Sequence, residues 1–189
     1  MNKGRLVVFS APSGAGKSSL IAAAMEAIPD LRYSVSATTR SPRACEVDGV
    51  HYFFLTREGF EAMIASGEFA EWNEVHGNLY GTPRPFLDRT TAKGEHVALD
   101  LDVFGKRRFD QVYPENLGIL ILPPSFEELE RRLRGRGTDP EEVIQVRLRN
   151  ARAELAAAQM GNFRHRLVND DFERARKELL DILGTELAS

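Results

Sequence analysis

The sequence predicts an α/β fold, a parallel sheet flanked by helices, and three observations predict it. Short apolar runs with β-branched residues and little polar alternation occur at residues 5–9, 96–100 and 117–122. Strands buried on both faces of a parallel sheet need that profile. The first run passes through a Gly-rich turn directly into residues 17–28, whose Ala, Leu and Met content favours a helix. Strand, tight loop and helix form the opening unit of such a sheet. The length, 189 residues, suits one core of ordinary size carrying small inserted modules.

The remaining elements follow in chain order. Pro29-Asp30 ends the first helix. A strand-like run covers residues 50–55, and a helix starts at Thr56 and stops near Gly67. Residues 72–75, a Gly77-Asn78 turn and residues 79–82 read as short strands, so 34–83 is a small mixed α/β insertion. Pro83 or Pro85 starts the next helix and Gly94 closes it. The strand at 117–122 halts at Pro123-Pro124. Ser125 and Glu128 have capping-box spacing for a helix running to about Arg134. Gly135 to Thr138 breaks it, and Pro140 takes the first position of another helix. A short strand at 167–169 and a helix over 173–183 close the chain.

Hydrophobic residues make up 42% and charged residues 28%, the balance of a soluble globular protein. The net charge of −3 argues against a general nucleic-acid binder, which needs a basic surplus. A lone Cys45 excludes an internal disulfide and fits a reducing compartment. The apolar run after the basic start, residues 6–9, falls short of the roughly 7–15 residues of a signal peptide's central region. No stretch reaches the roughly 18–20 apolar residues that span a membrane. The expectation is a cytoplasmic protein with no membrane and no nucleic-acid partner.

The strongest local signal is Ala11-Pro12-Ser13-Gly14-Ala15-Gly16-Lys17-Ser18. It fits the phosphate-binding loop G-x-x-x-x-G-K-[ST], with Ala11 where the pattern has Gly. Gly14 and Gly16 let the backbone approach phosphates with no Cβ in the way. The surrounding N–H groups form an anion nest at a helix N-terminus. Lys17 reaches β- and γ-phosphates, and Ser18 offers a hydroxyl to Mg²⁺. Residues 11–18 with Ser19 are therefore the expected ATP site, on a P-loop NTPase core.

A second series of motifs names an acceptor. Ser34-Val35-Ser36-Ala37-Thr38-Thr39-Arg40-Ser41-Pro42-Arg43 and Glu46-Val47-Asp48-Gly49-Val50-His51-Tyr52-Phe53 come first. Glu68-Phe69-Ala70-Glu71-Trp72, Gly77-Asn78-Leu79-Tyr80-Gly81-Thr82 and Asp100-Leu101-Asp102 follow, then Gly135-Arg136-Gly137-Thr138 and Val168-Asn169-Asp170-Asp171. In this order the blocks resemble the guanylate kinase family of P-loop nucleoside monophosphate kinases, over residues 4–184. The resemblance implies transfer of the γ-phosphoryl group of ATP to GMP and dGMP. It also implies three parts: a core (4–33, 84–125 and 153–184), a GMP-binding module (34–83) and a helical lid (126–152).

The resemblance carries roles onto matching residues. Arg40 and Arg43 suit a dianionic phosphate, since guanidinium pairs bidentately with its oxygens. Tyr52 and Tyr80 each add a phenolic donor. Glu71 accepts the adjacent N1–H and N2–H donors of guanine, a pair adenine lacks. Ser36 and Thr82 offer hydroxyls to O6, and Asp102 helps bind GMP. Asp100 has a metal-linked or acceptor role, so Ser18 and Asp100 are the expected Mg²⁺ contacts. Lid arginines Arg132, Arg136 and Arg147, with Lys17 and Arg40, stabilise the transferring phosphoryl group. Asn169 matches a contact to adenine. In the lid, 127–131, 128–132 and 130–134 have the spacing of i,i+4 ion pairs. Two other readings are a kinase of ribose bisphosphate, which needs no guanine-reading carboxylate, and a non-catalytic interaction domain, which needs no intact Gly16-Lys17-Ser18.

Overall fold

The computed structural model describes residues 3–75, 77–135, 137 and 140–188. The main sheet has five strands: β1 (Leu6–Ser10), β2 (Leu31–Tyr33), β7 (His96–Asp100), β8 (Leu117–Leu122) and β9 (His165–Val168). Their order is β2-β7-β1-β8-β9 and every pairing is parallel. The sheet separates two apolar layers by the period of two that strands impose. Val7, Phe9, Ala98, Ile119 and Ile121 face α1 (Lys17–Ala27) and α7 (Phe172–Leu187). Val8, Val97 and Leu99 face α3 (Arg84–Ala92) and α4 (Val103–Val112) on the other side.

A second sheet has the order β4-β3-β6-β5. It comprises β3 (Ala37–Thr38), β4 (Phe53–Phe54), β5 (Phe69–Val75) and β6 (Asn78–Pro83), covered by α2 (Arg57–Ala65). Phe60 of α2 stacks on Phe69 with ring centroids 4.3 Å apart. A Cβ on Gly81 would lie 2.8 Å from Phe69 and 3.0 Å from Phe60, so this stack requires a glycine there. The β5–β6 register sets Glu71 opposite Thr82 and Asn73 opposite Tyr80, placing all four on one face. Two further helices, α5 (Phe126–Gly135) and α6 (Glu141–Gln159), pack together through Leu129, Leu133, Ile144 and Leu148. The second of them continues unbroken across position 152. Among the described residues no helix is long and apolar enough to cross a membrane.

The structure departs from the sequence expectations in several places, among them β2, where the sequence predicts no strand, and β5, which starts at Phe69 rather than at residue 72. The strand expected over 50–55 shrinks to Phe53–Phe54, because residues 47–51 turn: Gly49 has φ 74° and His51 N–H bonds the Val47 carbonyl. The helix α4 was not anticipated; its Lys106-Arg107-Arg108 run masks an apolar face made by Val103 and Phe109. Pro140 caps α6 rather than occupying its first position. The last strand begins at His165, two residues before the expected start, paired with Ile119. Arg131 pairs with Glu128, not with Glu127, while the 128–132 and 130–134 pairs form.

Lys106 explains why a basic run can sit on a core helix. It is 1% exposed, its ammonium pairs with Asp110, and it donates to the Asn162 carbonyl at 2.9 Å. Its stem fills the space over Gly118, where a Cβ would meet Lys106 Cε at 2.7 Å. Removing one partner of such a pair leaves a buried charge uncompensated. Asp110→Ala is expected to cost about 3 kcal/mol of unfolding free energy. Chemical denaturation checks this, and a loss under about 0.5 kcal/mol, the range of ordinary surface changes, would show that the ammonium finds water.

Candidate active site

The order of the main sheet fixes where a ligand can sit. From β1 the chain moves outward to β2, whereas from β7 it crosses over to β8 and β9. The reversal opens a crevice between the carboxyl ends of β1 and β7, the usual binding place in open α/β sheets. Residues 11–16 leave β1 there and residues 100–102 leave β7.

The loop after β1 is held by close packing. Gly14 (φ 95°) and Gly16 (φ 88°) take left-handed conformations. A Cβ on Gly14 would lie 3.0 Å from Leu133 and 3.2 Å from Leu129, both on α5; one on Gly16 would collide with the Asn169 amide. Asn169 is 5% exposed and donates to the Ala15 carbonyl at 2.9 Å. Ala11, 6% exposed, packs into the core. The first turn of α1 has no side-chain cap and no acidic residue. Its N–H groups are thus available to an anion, and the helix dipole favours one.

Lys17 directs its ammonium at Asp100 and lies 3.5 Å from the Leu101 carbonyl. Pro12, Ser13, Ala15, Ser18 and Ser19 line the same cleft, together with Asp102 and Glu154. Glu154, on α6, was not singled out from the sequence; burial raises its carboxyl above the usual range, and the Ser13 backbone counters this. A lone glutamate inside an Ala-rich helical stretch gives no local signal of such a position.

Across Asp100 and Asp102 lies a second cavity of about 260 Å³. Ser36, Tyr52, Glu71, Tyr80, Asp102 and Arg108 line it. The Glu71 side chain is 7% exposed. Its Oε1 accepts the Thr82 hydroxyl proton at 2.8 Å, which follows from the β5–β6 register. That hydroxyl has one proton, so in this arrangement Thr82 orients Glu71, and Ser36 is the hydroxyl left to face the cavity. Burial raises the Glu71 carboxyl, Thr82 and Arg108 lower it, and Asp102 raises it. Asp102 also caps α4, accepting Gly105 N–H at 2.6 Å.

Arg40 lies at the rim, its guanidinium 5.5 Å from the Tyr52 ring centre. Glu46 holds it bidentately at 2.8 and 2.9 Å and accepts Arg43 N–H at 2.8 Å. The Arg40 guanidinium and the Arg43 amide hold the Glu46 carboxyl down to about 2. Glu46 lies in a sequence motif that by itself announces no role; the folded loop shows that it holds Arg40. Arg43 itself is exposed.

The structure gathers the remaining basic residues less tightly. Arg132 on α5 donates to the carbonyls of Asn169 at 2.9 Å and Asp170 at 3.3 Å, with Glu128 on its Nε. Arg147 lies on α6 two turns before Glu154, on the same face. Arg136 lies outside the described residues.

The family model described as guanylate kinase matches residues 3–186. The chain belongs to the guanylate kinase family. It is similar to the guanylate kinase of Rubrobacter xylanophilus, 49% identical over 97% of this chain and 95% of that one. The guanylate kinase of Synechocystis is 47% identical, over 97% and 95% of the two chains. Among solved structures, the guanylate kinase of Anaplasma phagocytophilum has a TM-score of 0.77 at 31% identity, covering 100% of this chain and 89% of that one.

On this guanylate kinase fold Asn169 bears on the phosphate loop directly, through Ala15 and its closeness to Gly16. Asn169→Ala is expected to weaken ATP and inorganic tripolyphosphate alike, by about tenfold for one buried hydrogen bond. Calorimetric titration checks it; loss for ATP with tripolyphosphate unchanged would assign Asn169 to the adenine instead.

Proposed function

We propose that this chain phosphorylates GMP at the expense of ATP, with the loop at 11–19 as donor site and the cavity around Glu71 as acceptor site. The observation that carries the reading is the buried Glu71 carboxylate facing a cavity that shares Asp102 with the phosphate-loop cleft. A carboxylate in that place takes both N1–H and N2–H of guanine. Adenine would set its N1 lone pair against it, and sites reject near-isosteres by leaving buried polar groups unpaired.

The acceptor phosphate sits toward Arg40, Arg43, Tyr52 and Tyr80, which supply two guanidinium groups and two phenolic donors. Lys17 and the α1 N-terminus hold the β- and γ-phosphates. Arg132, Arg136 and Arg147 belong to the parts 126–152 that close over the transferring group and exclude water. The phosphate of GMP is already nucleophilic near neutral pH, so the residues act by positioning and by charge, with no general base required.

Mg²⁺ fits the donors present. Ser18 lines the phosphate-loop cleft, and Asp100 pairs with Lys17 of the same cleft; they offer a hydroxyl and a carboxylate oxygen, hard ligands suited to this ion. Among the described residues no group of three His, Cys, Asp or Glu forms a cage, which agrees with an ion that arrives with the triphosphate. When bound it neutralises charge on the β- and γ-oxygens. A cytoplasmic setting goes with this reading, Cys45 being an exposed free thiol.

Coupled ADP release with ATP, Mg²⁺ and each of GMP, AMP, CMP and UMP tests the proposal. Turnover with GMP, and its loss by at least about a hundredfold in kcat/KM for Glu71→Ala, is expected. A folded protein that binds GMP but turns over none of the four would support the interaction-domain reading. The pH dependence has a defined sign. Burial lifts the Glu71 carboxyl above its ordinary value, and guanine needs the ionised form. kcat/KM for GMP therefore falls as pH drops through that raised value, in addition to the fall that titration of the GMP phosphate gives by itself. In Glu71→Gln only the phosphate's fall remains; an acid limb identical in the two enzymes would remove Glu71 from base recognition.

A further inference from the structure

Arg108 belongs to no motif that led to the site, yet it reaches the acceptor cavity. It sits on α4, one turn after Gly105 and on the same face. That face approaches the guanine-reading carboxylate closely: a Cβ on Gly105 would lie 3.5 Å from Glu71 Oε2. Arg108 Nη2 lies 3.8 Å from the same oxygen, and the two side chains are 36% and 7% exposed. The Nε of Arg108 is buried without a hydrogen-bond partner.

The two oxygens of Glu71 are thus addressed separately. Thr82, on the neighbouring strand, fixes Oε1. Oε2 faces Arg108, which comes from the main-sheet side of the cavity. We propose that Arg108 is a positioning residue for guanine recognition, which fixes the direction of Glu71 Oε2 across the cavity. The proposal rests on the GMP reading and deepens it.

The electrostatic balance supports the geometry. Glu71 is buried, and Asp102 at the start of α4 disfavours its charge. Asp100, Tyr52 and Tyr80 complete the titratable wall of the cavity. Within that wall Arg108 is the one cation among the described residues. Without it, burial and Asp102 act on Glu71 with only the Thr82 hydroxyl opposing them. A protonated Glu71 accepts through one oxygen and cannot pair with both guanine donors.

Steady-state kinetics of Arg108→Gln and Arg108→Lys, with GMP varied from acid to alkaline pH at saturating ATP, test the proposal. Arg108→Gln is expected to raise the KM for GMP about tenfold, the effect of losing one charge-assisted interaction, with kcat within about twofold. Its acid limb in kcat/KM for GMP moves to higher pH; titration of the GMP phosphate is common to both enzymes and cancels. Arg108→Lys returns the limb toward wild type. In a Glu71→Gln background, Arg108→Gln adds nothing further. An unmoved limb, or an equal loss with and without Glu71, overturns the proposal. An unchanged KM for ATP reports that each variant is folded. Absence of GMP turnover in the unaltered enzyme would sink the functional reading itself, whereas normal turnover with an unmoved Arg108→Gln sinks only this inference.

Discussion

The ammonium of Lys17 lies between the phosphate loop and the end of β7, where Asp100 takes its charge. The rest of the site follows from that pairing. A chain of net charge −3 has to collect two anionic nucleotides, and it does so by concentrating cations at one edge of the sheet. Each of the main ones is held by a carboxylate: Lys17 by Asp100, Arg40 by Glu46, Arg132 by Glu128. These pairs are partly open to solvent, so each is worth about 1 kcal/mol or less. That is small against what a phosphate gains from a preset cation and an uncapped helix N-terminus, so the carboxylates orient the cations without blocking them.

Position along the sheet then does the work of alignment. The two cavities proposed as donor and acceptor sites share Asp102, with Asp100 beside it. The two-residue period of β5 and β6 turns Glu71, Asn73, Tyr80 and Thr82 to one face, toward that shared edge. Close packing sets the loop: Asn169 behind Gly16 and the leucines of α5 against Gly14 leave the backbone few ways to move. The helix pair that carries the proposed lid arginines is therefore in contact with the phosphate loop from the start. Leu129 and Leu133 of α5 are the side chains that press on the loop at Gly14.

Much of this was legible in the sequence. The three apolar runs of the main sheet stand within a residue of the observed strands, because burial on both faces leaves no other pattern. The phosphate loop was legible because its glycines are demanded by conformation. The cavity residues Ser36, Tyr52, Glu71, Tyr80 and Asp102 do converge. What escaped reading was set by packing. The α4 helix was hidden because Lys106 is buried, which composition forbids and only Asp110 with the Asn162 carbonyl allows. Glu46, Glu154 and Arg108 have partners remote in sequence or across a loop, so no spacing announces them. The Thr82 hydroxyl shows the converse, where a residue expected to face the base turns its proton to Glu71 instead.

The central claim is that both nucleotides meet at one edge, with their phosphates converging between Lys17 and Arg40. A bisubstrate ligand, adenosine and guanosine joined through five phosphates, tests it most directly by calorimetric titration in the presence of Mg²⁺. One molecule bound per chain, more tightly than either nucleotide and displaced by ATP and by GMP alike, is the predicted result. Binding that GMP alone or ATP alone displaces, with the other without effect, would contradict it.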